Sequence, residues 1–229
     1  MEAPSSPQTV SLDLAPPLVI WGASGHALVV ADAARAQRKF SIAGFVDDRA
    51  ERKGVAFAGS EVLGGRDALR ELYARGVRHL HVAVGHCATR LKLARVAQSE
   101  GFLLATVVHP NAVIAAQTPV GDGTFVAAGV VVNVGARVGE NVILNTSCSV
   151  DHECDIRDGV HVGPGVRLGG SVEVGRAAWL GIGATILNNV SVGEGSIVGA
   201  GAVVTRVIPT GVVVYGVPAR VVRSVTPDE

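Results

Sequence analysis

Residues 131–156 read VVNVGARVGENVILNTSCSVDHECDI, and an aliphatic residue returns at every sixth position of this segment. The same period continues in both directions along the chain. The positions that share it, called rungs below, are Ile114, Val120, Val126, Val132, Val138, Leu144, Val150, Ile156, Val162, Leu168, Val174, Leu180, Ile186, Val192, Val198 and Val204. Sixteen aliphatic residues in one register predict side chains that point into a common core.

Glycine and small residues occupy fixed places between the rungs. The residue that follows a rung is glycine in eight of the sixteen repeats, and the fourth residue after a rung is mostly small or branched. A short strand, a corner that glycine permits and another short strand build a solenoid with a ladder of stacked aliphatic residues inside. Cys148 and Cys154 fall at the small inward position, which favours core filling over nucleophilic chemistry.

The first half of the chain follows a different pattern. Short apolar strands at 18–21, 41–46 and 79–84 alternate with helical segments at 27–39, 66–75 and 88–99. This succession predicts a small parallel α/β sheet with helices on its faces. We therefore divide the chain into a flexible leader (1–17), an α/β domain (18–108), a repeat domain (109–210) and a C-terminal tail (211–229).

Composition and charge exclude several classes of function. Twenty basic residues balance twenty acidic ones, so no basic field exists for sequence-independent binding of nucleic acid. Three cysteines are too few for a disulfide framework and suit a reducing compartment. No 18-residue window is free of charged or turn-forming residues, and the start lacks the features of a signal peptide, so we expect no membrane contact and a cytoplasmic location.

The motif GASGHA at residues 22–27 follows a predicted strand and opens a predicted helix. Backbone N–H groups and the helix dipole at such a place favour an anion, of which phosphate is the natural example. The third glycine of the dinucleotide fingerprint is absent, so NAD is poorly supported. Asp47 and Asp48 end the second strand, where a carboxylate commonly meets a ribose hydroxyl, and Gly85 ends the third. Together they suggest a nucleotide; a tight turn beside a solvated acidic turn is the alternative.

Positions 18 residues apart should stack on one face, because three six-residue repeats make one coil. One outward column, made of Phe125, Ile143, His161, Trp179 and Ile197, is apolar apart from its histidine. We interpret this column as a surface for a partner prism. Coverage by the chain's own N-terminal domain or tail is the alternative.

His152 lies within DHE at 151–153, at a predicted corner, so its side chain should project outward with Glu153 beside it to hold the imidazole. Gly170 lies one coil further, which should leave open space and a backbone N–H above the ring. A metal site made by His109, His152 and His161 is disfavoured by the spacing, and we predict no metal.

A strip of glycines lies next to the His152 column. Gly163, Gly181 and Gly199, called the glycine strip below, stack above Asn145 and could seat a long thin ligand. His161 lies half a coil from His152, so the two rings face apart within one prism. They can approach each other only across a subunit boundary, which would place the active site between subunits.

Four segments carry a resemblance to a known family. They are LVIWGASGHALVVAD (18–32), GFVDD (44–48), NTSCSVDHECDI (145–156) and VYGVPARVVR (214–223). They resemble the sialic-acid O-acetyltransferases and nucleotide-amino-sugar N-acetyltransferases, a branch of the hexapeptide-repeat acyltransferases that includes enzymes acting on UDP-4-amino sugars and GDP-perosamine. The resemblance implies a Rossmann-like N-terminal domain that binds a nucleotide sugar, a left-handed parallel β-helix that binds acetyl-CoA, and a homotrimer.

The resemblance also implies a reaction, namely N-acetylation of a nucleotide-linked 4-amino sugar by direct attack on acetyl-CoA. His152 would be the general base and Glu153 its orienting partner, and the Gly170 amide would meet the thioester oxygen. The implied coenzyme residues are Asn145, His161, Gly170, Ile182, Arg220 and Arg223, although for the two arginines a solvated basic tail is the alternative. The implied nucleotide-sugar residues are Gly22, Ser24, Gly25, His26, Asp47, Asp48 and Gly85.

Two other functions remain open from the sequence. One is O-acetylation of a sialic-acid-type sugar on the same scaffold. The other is a non-catalytic scaffold that binds a sugar nucleotide, against which the pairing of His152 with Glu153 argues. His86 stands where relatives usually have Asn or Asp.

Overall fold

The structure is a computed structural model that describes residues 15–226. Residues 1–14 and 227–229 lie outside it, and with them most of the predicted leader and the end of the predicted tail. The N-terminal part contains β1 (Pro17–Trp21), α1 (Gly25–Gln37), β2 (Ser41–Val46), a 3-10 turn (Ala50–Arg52), β3 (Ala56–Phe57), β4 (Ser60–Gly64), α2 (Ala68–Ala74), β5 (His79–Val82), α3 (Cys87–Ser99) and β6 (Leu103–Leu104).

These strands form one sheet in the order β3-β4-β2-β1-β5-β6, parallel except for the β3–β4 pair. Central β1 is apolar without alternation, and Leu18, Val19 and Ile20 are fully buried, as expected for a strand covered on both faces. The α/β class predicted for this half is confirmed. The sequence pattern missed β3, β4 and β6.

From Val107 onward the chain winds into coils with strands of two residues. They are β7 (Val107–Val108), β8 (Val113–Ile114), β9 (Phe125–Val126), β10 (Val131–Val132), β11 (Arg137–Val138), β12 (Ile143–Leu144), β13 (Ser149–Val150), β14 (Asp155–Ile156), β15 (His161–Val162), β16 (Arg167–Leu168), β17 (Glu173–Val174), β18 (Trp179–Leu180), β19 (Thr185–Ile186), β20 (Ser191–Val192), β21 (Ile197–Val198) and β22 (Val203–Val204). Each strand from β7 to β19 pairs in parallel with the strand 18 residues further on, as in Ile143 with His161 and His161 with Trp179.

Three parallel sheets enclose the core of this β-helix. The first face holds β7, β9, β12, β15, β18 and β21, the second face β8, β10, β13, β16, β19 and β22, and the third face β11, β14, β17 and β20. Rungs from Val126 to Val204 are all at most 4% exposed, whereas Ile114 and Val120 in the first coil are half-buried. The predicted six-residue period is confirmed, because every rung beyond the first coil points inward.

The α/β unit packs on the lower part of the first face. Phe125 and Ile143 are fully buried there, and the ring of His26 from α1 meets Phe125 edge-on with centroids 5.4 Å apart. The interpretation of this outward column as a partner surface was therefore wrong for its lower half, where the chain's own N-terminal unit supplies the cover. Trp179, higher in the column, remains 41% exposed.

The residues predicted as a tail form a hairpin that continues the first face. Strand β23 (Val212–Gly216) pairs in parallel with β21, and β24 (Ala219–Ser224) pairs antiparallel with β23. The ring of Tyr215 covers Gly199, where an added Cβ would lie 1.8 Å from the ring. No helix between residues 15 and 226 has the length and apolarity needed to span a bilayer.

Candidate active site

His152 lies at the corner between the second and third faces, with its side chain 52% exposed. Its Nδ1 is 3.2 Å from Oε2 of Glu153. Glu153 has a φ of 58°, in the left-handed region, and this conformation brings its carboxylate back beside the ring of its neighbour. The Oγ of Ser171, one coil above, donates to the same Oε2 at 3.4 Å. A carboxylate only accepts, so the Nδ1 of His152 carries the hydrogen of this bond.

Asp151 fixes the backbone of the same corner. Its Oδ1 accepts the N–H of His152 at 2.8 Å and the side-chain amide of Asn133 at 2.7 Å. These hydrogen bonds, that from Asn133 first, hold the pKa of Asp151 below its ordinary value. Sequence reasoning missed Asp151, Asn133 and Ser171. The 18-residue spacing, from 133 to 151 and from 153 to 171, was the signal that could have found them.

Gly170, one coil above, packs against the imidazole. A Cβ added there would lie 2.5 Å from both Cε1 and Nε2 of His152, so the ring occupies the space that the sequence suggested was open. The His152 ring can therefore pack here only because residue 170 is glycine and has no side chain. Within residues 15–226 the Gly170 N–H makes no hydrogen bond, and it remains available beside the ring.

A second polar group joins the first face to the end of β5. The Nδ1 of His161 is 3.2 Å from the carbonyl oxygen of Gly85, and its Nε2 is 3.3 Å from Nδ2 of Asn145. Burial lowers the pKa of His161 to about 4, with the nearby charge of Arg90 as the next cause. The ring is therefore neutral at pH 7.

The glycine motif lies where β1, β2 and β5 end together. Gly22 has a φ of 124° and donates its N–H to Val46, and a Cβ there would lie 2.7 Å from the Ala83 carbonyl oxygen. Only glycine fits this approach. Ser24 caps α1 without a side-chain hydrogen bond, and both Ser24 and Gly25 are exposed at the helix N-terminus.

His26, the next residue of the motif, faces inward. Burial lowers its pKa to about 3, and its Nε2 has no hydrogen-bond partner in the described part of the chain. Its ring lies 6.5 Å from that of His161, so the motif reaches the first face of the β-helix.

The two aspartates after β2 have different surroundings. Asp47 is buried; its Oδ2 accepts from the Ala23 N–H and from Nη2 of Arg49, and its Oδ1 accepts from the N–H and Nε of Arg49. A carboxylate offers about four acceptor positions, so none is left for a ribose hydroxyl. The Arg49 hydrogen bonds lower the pKa of Asp47 to about 2. Asp48 is exposed and accepts from the Arg66 N–H through Oδ1, which leaves Oδ2 for a ligand.

The remaining predicted coenzyme residues lie on the upper coils and on the hairpin. Ile182 follows Gly181 and is 63% exposed. The glycine strip itself is not open, because all three of its glycines are buried. A Cβ added to Gly163 would lie 2.5 Å from the Leu180 carbonyl oxygen, and one added to Gly181 would lie 2.6 Å from the Ala200 nitrogen. The prediction that the strip seats a ligand was therefore wrong, because the backbone of the next coil, and Tyr215 at the top, fill the space above it. Arg220 lies on β24 opposite Tyr215 and donates to its neighbour's carbonyl oxygen, and Arg223 also lies on β24.

Within one chain these residues form separate groups. His152, Glu153 and Gly170 lie at the corner between the second and third faces, whereas His161 and Asn145 lie at the first face beside the α/β unit. A cavity of about 560 Å³ opens between that unit and the hairpin, with Trp179 and Ile197 on its floor and His86 and Tyr215 in its walls. The described residues include no cluster of three or more His, Cys, Asp or Glu that could hold a metal ion.

Comparison with known families gives two matches. Residues 17–97 match the family described as PglD N-terminal domain, and residues 171–206 match bacterial transferase hexapeptide (six repeats). With the three parallel sheets, these matches confirm the predicted fold class, a Rossmann-like domain followed by a left-handed parallel β-helix.

Three individual proteins are similar to this chain over 62% to 90% of its length. A GDP-perosamine N-acetyltransferase of Escherichia coli is 32% identical over 142 residues, which cover 62% of each chain. A histidine-to-alanine variant of GDP-perosamine N-acetyl transferase from Caulobacter crescentus, solved with CoA and GDP-perosamine, is 39% identical with a TM-score of 0.87, covering 90% of this chain and 96% of that one. The acetyltransferase domain of PglB from Neisseria gonorrhoeae, solved with acetyl coenzyme A, is 33% identical with a TM-score of 0.83, covering 90% and 98%.

Proposed function

The chain belongs to the family of nucleotide-amino-sugar N-acetyltransferases, and from this premise we propose that it transfers the acetyl group of acetyl-CoA to the amino group of a nucleotide-linked 4-amino sugar. The observation that carries the proposal is the similarity to an N-acetyltransferase solved with CoA and GDP-perosamine, over 90% of this chain. The corner of His152, Glu153 and Gly170 offers the groups that such a transfer needs.

In the proposed reaction, the amine nitrogen attacks the thioester carbonyl carbon while Nε2 of His152 takes a proton from the amine. Glu153 holds the opposite ring nitrogen and so keeps Nε2 as the basic atom. The Gly170 N–H donates to the oxygen that gains negative charge. The C–N bond forms, the C–S bond breaks, and the departing CoA sulfur receives the proton from His152. No covalent enzyme intermediate is needed.

We assign the nucleotide part of the acceptor to the loops of the α/β unit. Ser24 and Gly25 offer the free N-terminus of α1 to a phosphate, and Asp48 offers a carboxylate oxygen to a hydroxyl or a base. Gly22 and Asp47 shape the same loops through their contacts with the backbone. His26 and Gly85 connect these loops to the first face.

We also propose a homotrimer with the active site between subunits. The groups around His152 and around His161 lie on different sides of one prism, so a neighbouring prism would be needed to bring them to one substrate. Exposed apolar side chains on the second face and its corners support such packing: Val113, Val131, Val134, Ile182 and Leu187. Three free, buried cysteines fit the reducing cytoplasm as the location.

The test is an assay with purified protein, acetyl-CoA and a panel of GDP-, UDP- and dTDP-linked 4-amino sugars. We expect release of the CoA thiol, followed with a thiol reagent, together with an acetylated product in the mass spectrum for at least one member. Thiol release only with a sialic-acid hydroxyl acceptor would instead support O-acetylation. Binding of the nucleotide sugar without thiol release from any acceptor would support the non-catalytic scaffold.

A further inference from the structure

Arg90 of α3 is 1% exposed, yet no carboxylate pairs with it within residues 15–226. Its guanidinium donates to five backbone carbonyl oxygens. The acceptors are Asn141 (2.8 Å), Val84 (2.9 Å), Gly85 (2.8 Å), Gly159 (2.7 Å) and Val160 (3.3 Å). Asn141 belongs to the β-helix and Val84 to the α/β unit, so this one side chain makes hydrogen bonds to both parts of the molecule.

Burying a charged side chain between two structural units costs desolvation free energy. An apolar side chain of similar size would pack at the same junction without the desolvation penalty of a guanidinium. The presence of an arginine is explained if its guanidinium must donate a hydrogen bond to one defined acceptor atom. The carbonyl of Gly85 is that atom, because it also contacts a predicted site residue.

The Gly85 oxygen accepts two hydrogen bonds, from Nη1 of Arg90 at 2.8 Å and from Nδ1 of His161 at 3.2 Å. A carbonyl oxygen has two lone pairs and can only accept, so Nδ1 of His161 must carry a hydrogen. In the neutral ring, Nε2 is then an acceptor. That atom faces Nδ2 of Asn145 at 3.3 Å.

The orientation of the Asn145 amide is fixed by independent evidence. Its Oδ1 lies 2.8 Å from the backbone N–H of Thr146, which can only donate, so the atom facing His161 is the amide nitrogen. An amide nitrogen only donates, and this again requires an unprotonated Nε2. The hydrogen bonds at Nδ1 and at Nε2 therefore require the same tautomer of His161, with its hydrogen on Nδ1. One N–H of Asn145 is used by His161, and the other is left for a ligand.

We propose that Arg90 is a positioning residue for the acyl site, acting through the Gly85 carbonyl on the tautomer of His161 and through that ring on the amide of Asn145. The amide then directs its second N–H toward an acyl-CoA bound beside the first face. The inference rests on the proposed function for the identity of that ligand. It goes further by connecting the end of β5, on the nucleotide side, to the acyl side through a single chain of hydrogen bonds.

The tautomer of His161 is the first measurement. We expect a histidine-labelled nitrogen NMR spectrum of the wild-type protein at pH 7.5 to show His161 as the neutral ring with hydrogen on Nδ1, assigned by its loss in His161→Ala. The titratable or charged groups around this ring are His26 on α1 and Arg90 on α3. A ring with hydrogen on Nε2 would overturn the proposal without any variant of Arg90.

The second measurement compares Arg90→Met with Arg78→Met. Arg78 also donates to backbone carbonyl oxygens, but only to Tyr73 and Val77 inside the α/β unit, so it controls for the general loss of such bonds. We expect Arg90→Met to give a mixture of His161 tautomers and about tenfold weaker CoA binding by calorimetry, the effect of one misdirected hydrogen bond. Arg78→Met should lower only the melting temperature.

A purely structural role for Arg90 predicts a different result. Arg90→Met would then lower the melting temperature while the His161 tautomer and the CoA affinity stayed as in the wild type, and the proposal would be wrong. If Arg90→Met does not fold, Arg90→Lys, which keeps the charge but cannot donate to all five oxygens, takes its place, and an unchanged His161 tautomer and CoA affinity would again make the proposal wrong. None of these readouts needs an acceptor sugar, so a chain that binds CoA but transfers no acetyl group would refute the proposed function and leave this inference to be judged separately.

Discussion

His152 is held on three sides by its own coil and the next one. Asp151 bonds its backbone N–H, Glu153 bonds its Nδ1, and Gly170 receives the ring in the place of a side chain. Such support reduces the number of ring orientations. It therefore favours a fixed basic nitrogen over a mobile surface imidazole.

Replacing the proposed base, His152, should reduce turnover strongly. We expect His152→Ala to lower kcat by about 10²–10⁴-fold, the usual contribution of a general base, while CoA affinity changes little. The matched control is His109→Ala, because His109 lies on the β-helix and its ring accepts a single backbone N–H, that of Asn111, among residues 15–226. Turnover of His152→Ala equal to that of the control would contradict the assignment.

The close contact of the ring with Gly170 predicts a coupled effect. In Gly170→Ala the new methyl group would overlap Cε1 and Nε2 of His152, so the ring must turn away and kcat should fall by about tenfold or more. In the His152→Ala background the overlap disappears, and the same change should cost nothing further. Steady-state kinetics of the two single variants and the double variant measure this; equal losses in both backgrounds would show that Gly170 acts independently of the ring.

At the scale of single residues, the contacts that could be predicted from the sequence are those between residues adjacent in the chain. His152 and Glu153 are adjacent, so their pairing was predictable. The filled acceptor positions of Asp47 were not, because the Ala23 N–H that completes them arrives from another loop. The bond from Ser171 to Glu153 depends on side-chain rotamers that the spacing alone does not determine.

At the scale of elements, the loop after β2 depends on the charge of Asp47. The folded-state pKa of about 2 lies below the ordinary 3.8, so ionised Asp47 stabilises the fold above about pH 4, and this contribution is lost as the pH falls toward 2. We expect Asp47→Asn to lower the free energy of unfolding by about 2 kcal/mol at pH 7.

Denaturant unfolding at several pH values checks this. The difference between wild type and Asp47→Asn should be largest near neutral pH and should vanish near pH 2. Asp48→Asn is the control, because Asp48 is exposed and accepts one backbone N–H, so its effect should be small at every pH. A pH-independent loss in Asp47→Asn would show that packing, and not the charge, is responsible.

Elements with a repeated local signal were predictable, whereas short and long-range ones were not. The rungs recur every six residues, so each coil confirms the register of the last. Strands β3 and β6 have two residues each, like those of the β-helix, but no repeat marks their positions. The burial of Phe125 and Ile143 under the α/β unit could not be predicted from the period either. The period shows which side chains share a face of the β-helix but not what covers that face.

At the scale of the molecule, an active site between subunits predicts complementation. Neither His152→Ala nor Asn145→Ala should be active alone. A trimer assembled from both would contain sites with the intact His152 of one chain and the intact Asn145 of its neighbour. After unfolding and refolding together in equal amounts, about a quarter of wild-type activity should return, because one in four random neighbour pairs has this combination. No recovery in verified mixed trimers would place both residues in one subunit's site.

The register of the β-helix is uninterrupted from Val113 to Val204, and this gives the protein a length scale counted in whole coils. Each coil advances the axis by about 4.8 Å. Excising 172–189 would join Ser171 to Val190 in phase, keep the His152 corner and the hairpin intact, and bring them one step closer. A deletion that is not a multiple of six residues would turn buried rungs outward, and one of six or twelve residues would move the strands above it to another face. The distance between the His152 corner and the hairpin can thus change, in evolution or by engineering, only in discrete steps.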